Sequence, residues 1–374
     1  MEQYNYIREH TYKLPSLLTG HFERLHKSVV QFMPDETLKR VEHIIVTGCG
    51  YSYIAALYAK CLFEEICHIP VEVPFSIDCS RAMNPSLFPK DKTMFIGISK
   101  SGIVARVAEC LERMRRHGIM TVAVTSDRSS RCAAHGEYLV GIDIPEIKES
   151  LPLCNFAVTL LFFLILAKRT ANVKQIGEKK DTAELFDTFM QMERKLKLRL
   201  PYIEHQVNGF AEHTAGSFLF EFVGSGSDYL SAWLGRQLMT GQTGKPALEC
   251  STEDWLHSTF FMCRPEEIAT IFIKSSFARS ESRDLEVLDY MAYLKRRLCV
   301  ITDEADGETT NQNRIVLPPS GHVLLDPFTH MIPIALLAGK ICELTGEQYS
   351  RGFRDRWDFS KGGFATEHSK IEIY

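Results

Sequence analysis

No two of the 11 cysteines form a C-x-x-C pair, so a zinc ribbon or a thioredoxin-type redox motif is excluded as the organising feature. Their number is odd and their spacing irregular, which points to reduced thiols and a cytoplasmic protein. The chain also lacks charge of one dominant sign. A net charge of −4 offers no general attraction to nucleic acid or to an anionic membrane, so any anion bound here needs a local site. No run reaches the roughly 20 apolar residues of a spanning helix. The most apolar stretch, Phe156 to Ala167, reads as a buried helix, and Met1 to Thr11 is too polar for a secretory signal. With 45% hydrophobic and 24% charged residues in 374, whole-chain disorder, collagen and coiled coil are excluded, and two domains are expected.

What is present is an alternation of strands and helices. Residues 1–40 carry helical apolar spacing. His43 to Thr47 is then a short β-branched run ending in Gly48-Cys49-Gly50, followed by a helical stretch from Tyr53 to Ile66. Further strands are expected at Val71–Val73, Thr93–Ile98, Thr121–Thr125 and Tyr138–Ile142. Such alternation gives βαβ units and a parallel sheet. The second half repeats the order. Phe218 to Val223 ends in Gly224-Ser225-Gly226, and Ala269 to Ile273 ends in Lys274-Ser275-Ser276. The interval from Gly50 to Ser99 is 49 residues, as is that from Gly226 to Ser275. An offset of 176 also carries Asp127 onto Asp303 and the 156–167 helix onto 332–343. An internal duplication follows: an N-terminal helical segment (1–40), a first α/β domain (41–172), a charged linking helix (173–207), a second α/β domain (208–349) and a tail (350–374).

Two loops carry chemistry. Gly48-Cys49-Gly50-Tyr51-Ser52 lies where a strand turns into a helix, so free N–H groups can meet an anion. It is half a dinucleotide fingerprint, but the third glycine slot is Tyr53 and no acid ends the second strand, Glu72 lying within it. NAD and FAD are therefore not expected. Ser99-Lys100-Ser101-Gly102 closes the next strong strand, and clustered hydroxyls and amides there form an anion pocket.

The order Gly-x-Gly-x-Ser, Ser-x-Ser-Gly and a Thr-Ser-Asp strand end, all duplicated, resembles the sugar isomerase (SIS) domain. The tandem form is similar to the isomerase half of glucosamine-6-phosphate synthase and to the fructosamine-6-phosphate deglycases. The resemblance covers about residues 40 to 350. It implies an α/β fold of two SIS domains, each a five-stranded parallel sheet flanked by helices in flavodoxin-like order. It implies sugar-phosphate binding by Ser99, Lys100 and Ser101, with Gly50, Tyr51 and Ser52 from the glycine turn. Glu253-Asp254-Trp255-Leu256-His257 resembles the family's Glu-x-x-His stretch, with Asp254 in the glutamate's place. His257 is thereby implied to open the sugar ring, from a neighbouring subunit of a homodimer with shared active sites. Glu149, near the loop that closes the family's sugar site, and Lys361, in the tail, are further candidate substrate contacts.

Three departures bear on activity. The family's catalytic glutamate stands 16 residues before the histidine, and here that position is Gly241. Either Glu253, Asp254 or Glu249 supplies the base, or the activity is lost or altered. The loop threonine is replaced by Val104, which removes a hydroxyl. Lys100 stands where the synthase has an uncharged residue, so a sulfonate is an alternative to a phosphate. The resemblance implies aldose–ketose isomerisation of an anionic sugar through a cis-enediol, with no metal or other cofactor required. A deglycase or deaminase, or a non-catalytic sugar-phosphate sensor, is the alternative. With no N-terminal Cys nucleophile, glutamine-dependent synthesis is not expected. Ser225, Ser275 and Ser276 of the second domain are expected to be a degenerate anion site, because Phe277 replaces the loop glycine.

Overall fold

A computed structural model describes residues 5–144, 152–176, 182–275, 280–303, 313–347 and 366–373. They form two compact units, and neither is continuous in sequence. The first domain comprises Leu17–Asp187 with Ser360–Tyr374, and the second Thr188–Phe359 with Met1–Ser16. A helix at each junction, α1 (Tyr6–Gln31) and later α8 (Thr182–Thr214), runs through both units. Residues that read from sequence as separate end segments are thus parts of the domains.

In the first domain, α2 (Asp35–Arg40) leads into β1 (His43–Thr47), α3 (Tyr51–Cys67), β2 (Val71–Glu72), α4 (Ser76–Arg81), β3 (Thr93–Ile98), α5 (Ala105–Arg116), β4 (Met120–Thr125), α6 (Arg131–His135), β5 (Tyr138–Gly141) and α7 (Pro152–Lys174). The strands form one parallel sheet in the order β2-β1-β3-β4-β5. All six residues of β3 are buried, as a central parallel strand covered on both faces requires. In the second domain, α8 is followed by β6 (Leu219–Val223), α9 (Ser227–Leu238), β7 (Ala247–Cys250), α10 (Thr252–His257), β8 (Ile268–Ile273), α11 (Glu281–Tyr293), β9 (Arg297–Asp303), β10 (Asn313–Leu317) and α12 (Asp326–Thr345). Its sheet, β7-β6-β8-β9-β10, repeats the first order. The two α/β domains of an internal duplication are therefore as the sequence pattern implies.

The repeat has a shift in register that residue counting hides. In the first sheet His43 pairs with Thr93, and in the second Leu219 pairs with Ile268, a connection one residue shorter. Sequence spacing aligns Ser99 with Ser275. Strand pairing instead places Lys274 where Ser99 stands and Ser275 where Lys100 stands. Each strand-end residue confirms this by the same bond: Ser99 N–H to Val124 O and Lys274 N–H to Ile301 O, both 3.0 Å.

Helix α7 packs on α3, and α12 on α9. Both α7 and the stretch Val323–Thr345 are long and apolar enough to cross a bilayer, but 89% and 94% of their apolar windows are buried inside the protein. Packing in a two-layer core accounts for that apolarity.

The C-terminal segment completes the first domain. Ile371 packs on the cluster formed by Phe95, Val107, Leu111 and Cys132. Glu109, fully buried on α5, receives Arg81 Nε at 2.6 Å, Arg106 Nη1 at 2.5 Å and the Glu372 N–H at 2.8 Å. Arg81 also pairs with the Glu372 carboxylate. Two arginines around one buried carboxylate leave little of its charge uncompensated. Replacing Glu109 by alanine is expected to release this segment, so that limited proteolysis cuts it faster than in the native chain. Unchanged cleavage would show the network to be dispensable.

Candidate functional site

In the first domain the chain reverses its direction of winding between β1 and β3, and the carboxyl ends of those strands form a crevice where open α/β sheets bind ligands. Thr47 pairs with Gly97, so the glycine turn and the serine loop leave the sheet side by side. This brings together Gly50, Tyr51 and Ser52 from one loop with Ser99, Lys100 and Ser101 from the other.

The turn needs its second glycine. Gly50 has φ 56° and ψ −124°, which a side chain would strain, and it launches α3 so that Ser52 N–H bonds Cys49 O at 3.1 Å. The serine loop spends its carbonyls inward. Ser99 O accepts Gly102 N–H at 2.9 Å, Lys100 O accepts Ser126 N–H at 2.8 Å, and Gly102 O accepts Cys132 N–H at 3.0 Å. The N–H groups of Lys100 and Ser101 make no hydrogen bond among the described residues, nor do the hydroxyls of Ser52 and Ser101. The Ser126 hydroxyl is buried and unbonded, and the buried Ser99 hydroxyl has only the Cys132 thiol beside it. Carbonyls turned away and amides left over are the arrangement that an anion-binding nest would need. Lys100 is exposed at its rim. The first amide of α5, on Ala105, is taken by Thr366 O at 2.8 Å, so the C-terminal segment borders the loop.

The proposed catalytic residues lie on α10 of the second domain. Ser251 caps this helix, its Oγ accepting Asp254 N–H at 3.2 Å, and Trp255 anchors it in the core. His257 Nε2 lies 3.3 Å from Glu253 Oε1, one helical turn away, and its side chain is 73% exposed. Glu253 is gripped by Arg283, Nε at 2.9 Å and Nη2 at 3.1 Å, which holds its carboxyl below the usual range. Glu249 ends β7. It is half-buried against Arg236 Nε at 2.7 Å, and burial raises its carboxyl. Desolvation together with Glu249 pushes Tyr229 up to about 12. The family's glutamate position, Gly241, falls in a π-helical turn, Met239–Thr243, which Gly244 ends in a left-handed conformation.

Glu149, Lys361 and Ser276 lie outside the described residues. Lys370 is described: its ammonium pairs with Glu372 at 2.7 Å. Arg283, Arg236 and Ser126 were missed by sequence reasoning, Arg283 because nothing in its own surroundings marks it as Glu253's partner. Asp228 was also missed. It stands 176 residues after Ser52, and in the structure its carboxylate accepts the Ser275 N–H and hydroxyl at 2.9 and 2.5 Å. Phe277, on which the expectation of a degenerate second site rested, lies outside the described residues.

Residues 37–169 match the sequence model of the SIS domain family. The chain is 22% identical over 329 residues to glutamine–fructose-6-phosphate aminotransferase [isomerizing] 1 of Arabidopsis thaliana, covering 83% of this chain and 45% of that enzyme. The chain thus spans about half the length of the relatives it matches. Among solved structures, the C-terminal domain of glucosamine-fructose-6-phosphate aminotransferase from Francisella tularensis superposes with a TM-score of 0.77 at 16% identity, covering 91% of this chain and 97% of that one. Tagatose-6-phosphate ketose/aldose isomerase from Escherichia coli gives 0.69 at 16% identity, covering 92% and 95%. At these identities the superpositions establish the fold.

Proposed function

From the SIS-domain match over residues 37–169 we propose that the chain is a SIS-domain protein that isomerises an anionic sugar, an aldose to its ketose or the reverse. The observation that carries this reading is the nest of unbonded N–H and hydroxyl groups at Lys100, Ser101, Ser52 and Ser126. A phosphate or sulfonate oxygen would accept from each, which fixes one end of the sugar and leaves the other free to react. The same two anionic groups are the substrate classes that Lys100 at the rim would tolerate.

The chemistry is proton transfer. The ring opens as a proton moves from the anomeric hydroxyl to the ring oxygen, a task for a group titrating near neutrality such as His257. A carboxylate then removes the proton from C2 of the open aldose while O1 takes up a proton, giving the cis-enediol. Return of a proton to C1 and loss of the O2 proton give the ketose. Glu253 touches His257, but Arg283 weakens it as a base. Glu249, raised by burial, accepts a proton more readily, and Asp254 directly follows Glu253 in sequence. Because His257 is so exposed on its own subunit, it is free to complete a site on a second copy, in a homodimer with shared active sites.

The test is incubation with 6-phosphorylated and 6-sulfonated aldoses and ketoses in deuterated water, followed by proton NMR. Isomerase action is expected to place deuterium at C1 or C2. Release of an amine from a fructosamine phosphate would instead mark a deglycase. Binding of sugar phosphates with neither exchange nor cleavage would make the chain a sensor, which is the outcome favoured by Gly241 in its π-turn.

A further inference from the structure

The two glycine turns share a backbone conformation, and of the three residues that differ between them one, Asp228 for Ser52, introduces a carboxyl group. Gly226 has φ 58° and ψ −126°, matching Gly50, and Asp228 N–H bonds Ser225 O at 3.0 Å as Ser52 N–H bonds Cys49 O. Asp228 therefore stands where Ser52 stands. Ser275 stands where Lys100 stands, by the strand register given above. In the first domain the Lys100 N–H is unbonded. In the second, the equivalent Ser275 N–H goes to Asp228 Oδ2 at 2.9 Å, and the Ser275 hydroxyl goes to Oδ1 at 2.5 Å.

The aspartate is 1% exposed. A carboxylate so buried is tolerated only where several donors converge on it. His330 Nδ1, itself buried, lies 3.7 Å from Oδ1 and 3.2 Å from Ser231 Oγ. A carboxyl group, pushed up to about 6 by burial, thus sits at the carboxyl ends of β6 and β8, the crevice that corresponds to the one between β1 and β3, and the chain provides that group itself.

We propose that the second domain retains the anion cradle of the first and that its occupant is the Asp228 carboxylate. The residue after the glycine turn, serine or aspartate, then decides whether a domain takes an external tetrahedral oxyanion or its own side chain. The comparison rests on the reading of the first-domain nest as an anion site. Ser52→Asp should fill the first cradle in the same way. Asp228→Ser should open the second to phosphate or sulfate.

The experiment is a reciprocal swap in the full chain, titrated with inorganic phosphate by calorimetry, with circular dichroism to confirm folding. The native chain is expected to bind one phosphate, Asp228→Ser two, Ser52→Asp none and the double swap one. An Asp228→Ser chain that folds and binds no more phosphate than the native one overturns the proposal, even where Ser52→Asp abolishes binding. Native-like binding by Ser52→Asp overturns the first-domain reading instead, and the gain in Asp228→Ser is then judged alone. Should Asp228→Ser be poorly stable, phosphate is expected to raise its melting temperature more than it raises the native one. A shift no larger than that of the native chain overturns the proposal.

Discussion

Replacing His257 by alanine is expected to lower turnover of the sugar substrate by about 10²–10⁴-fold, the usual contribution of a positioned acid or base, while leaving the melting temperature unchanged. The two halves of that expectation have separate causes. The imidazole is 73% exposed and its described side-chain partner is Glu253, so truncation removes almost no packing. Helix α10 is held by the Ser251 cap and by buried Trp255, neither of which needs His257. Surface changes of this kind stay within about 0.5 kcal/mol. A loss of rate therefore cannot be unfolding in disguise. Glu249→Gln, Glu253→Gln and Asp254→Asn probe the second proton carrier. Near-normal rates in all four variants, on a substrate the native chain turns over, would make this stretch structural.

Gly102→Ala should be the most damaging single methyl in the first domain. Gly102 has φ 70°, and a Cβ there would lie 1.9 Å from Ser130 Oγ and 2.2 Å from Ser130 Cβ. A left-handed alanine costs about 1–2 kcal/mol, and forcing an atom into a filled site adds typically about 1–3 kcal/mol. Ser130 cannot simply swing aside, because it caps α6 and bonds Asp127 O at 2.7 Å. The loop must move instead, taking the Lys100 and Ser101 amides with it. Phosphate affinity should fall together with stability. Gly346→Ala is the control: φ is 69°, but a Cβ there meets nothing within 4 Å, so it shows the backbone cost alone. Equal urea midpoints for the two variants would show that the clash relaxes freely.

The parallel sheets were legible because β3 and β8 are short, largely apolar runs bounded by polar residues, Lys92 and Ser99 for one and Glu267 and Lys274 for the other. The approach of the glycine turn to the serine loop was legible because strand, glycine turn and serine loop recur at fixed spacing. Other features were not. Asp228 looks like any acid in a first helical turn, and only the paired strands reveal that it faces Ser275. Spacing misaligned Ser99 with Ser275 because it counts residues and is blind to which of them pair. Arg283 and Glu253 are 30 residues apart, and their ion pair exists only once α10 and α11 are packed. Acid-to-base partnerships of this kind are tertiary facts.

The crossed assignment of the chain's ends has a consequence for biosynthesis. Residues 360–374 emerge from the ribosome only after all of the second domain, yet they supply Ile371 to the first domain's core and Glu372 to Arg81 and Glu109. Translation in order thus leaves the first domain without its last piece until the second has been made. Residues 5–16 also wait: Arg8 and Tyr12 find Glu204 only when the second half appears. Maturation in order of synthesis therefore completes the second domain before the first, and a nascent chain stalled near residue 187 would hold Glu109 without the Glu372 N–H.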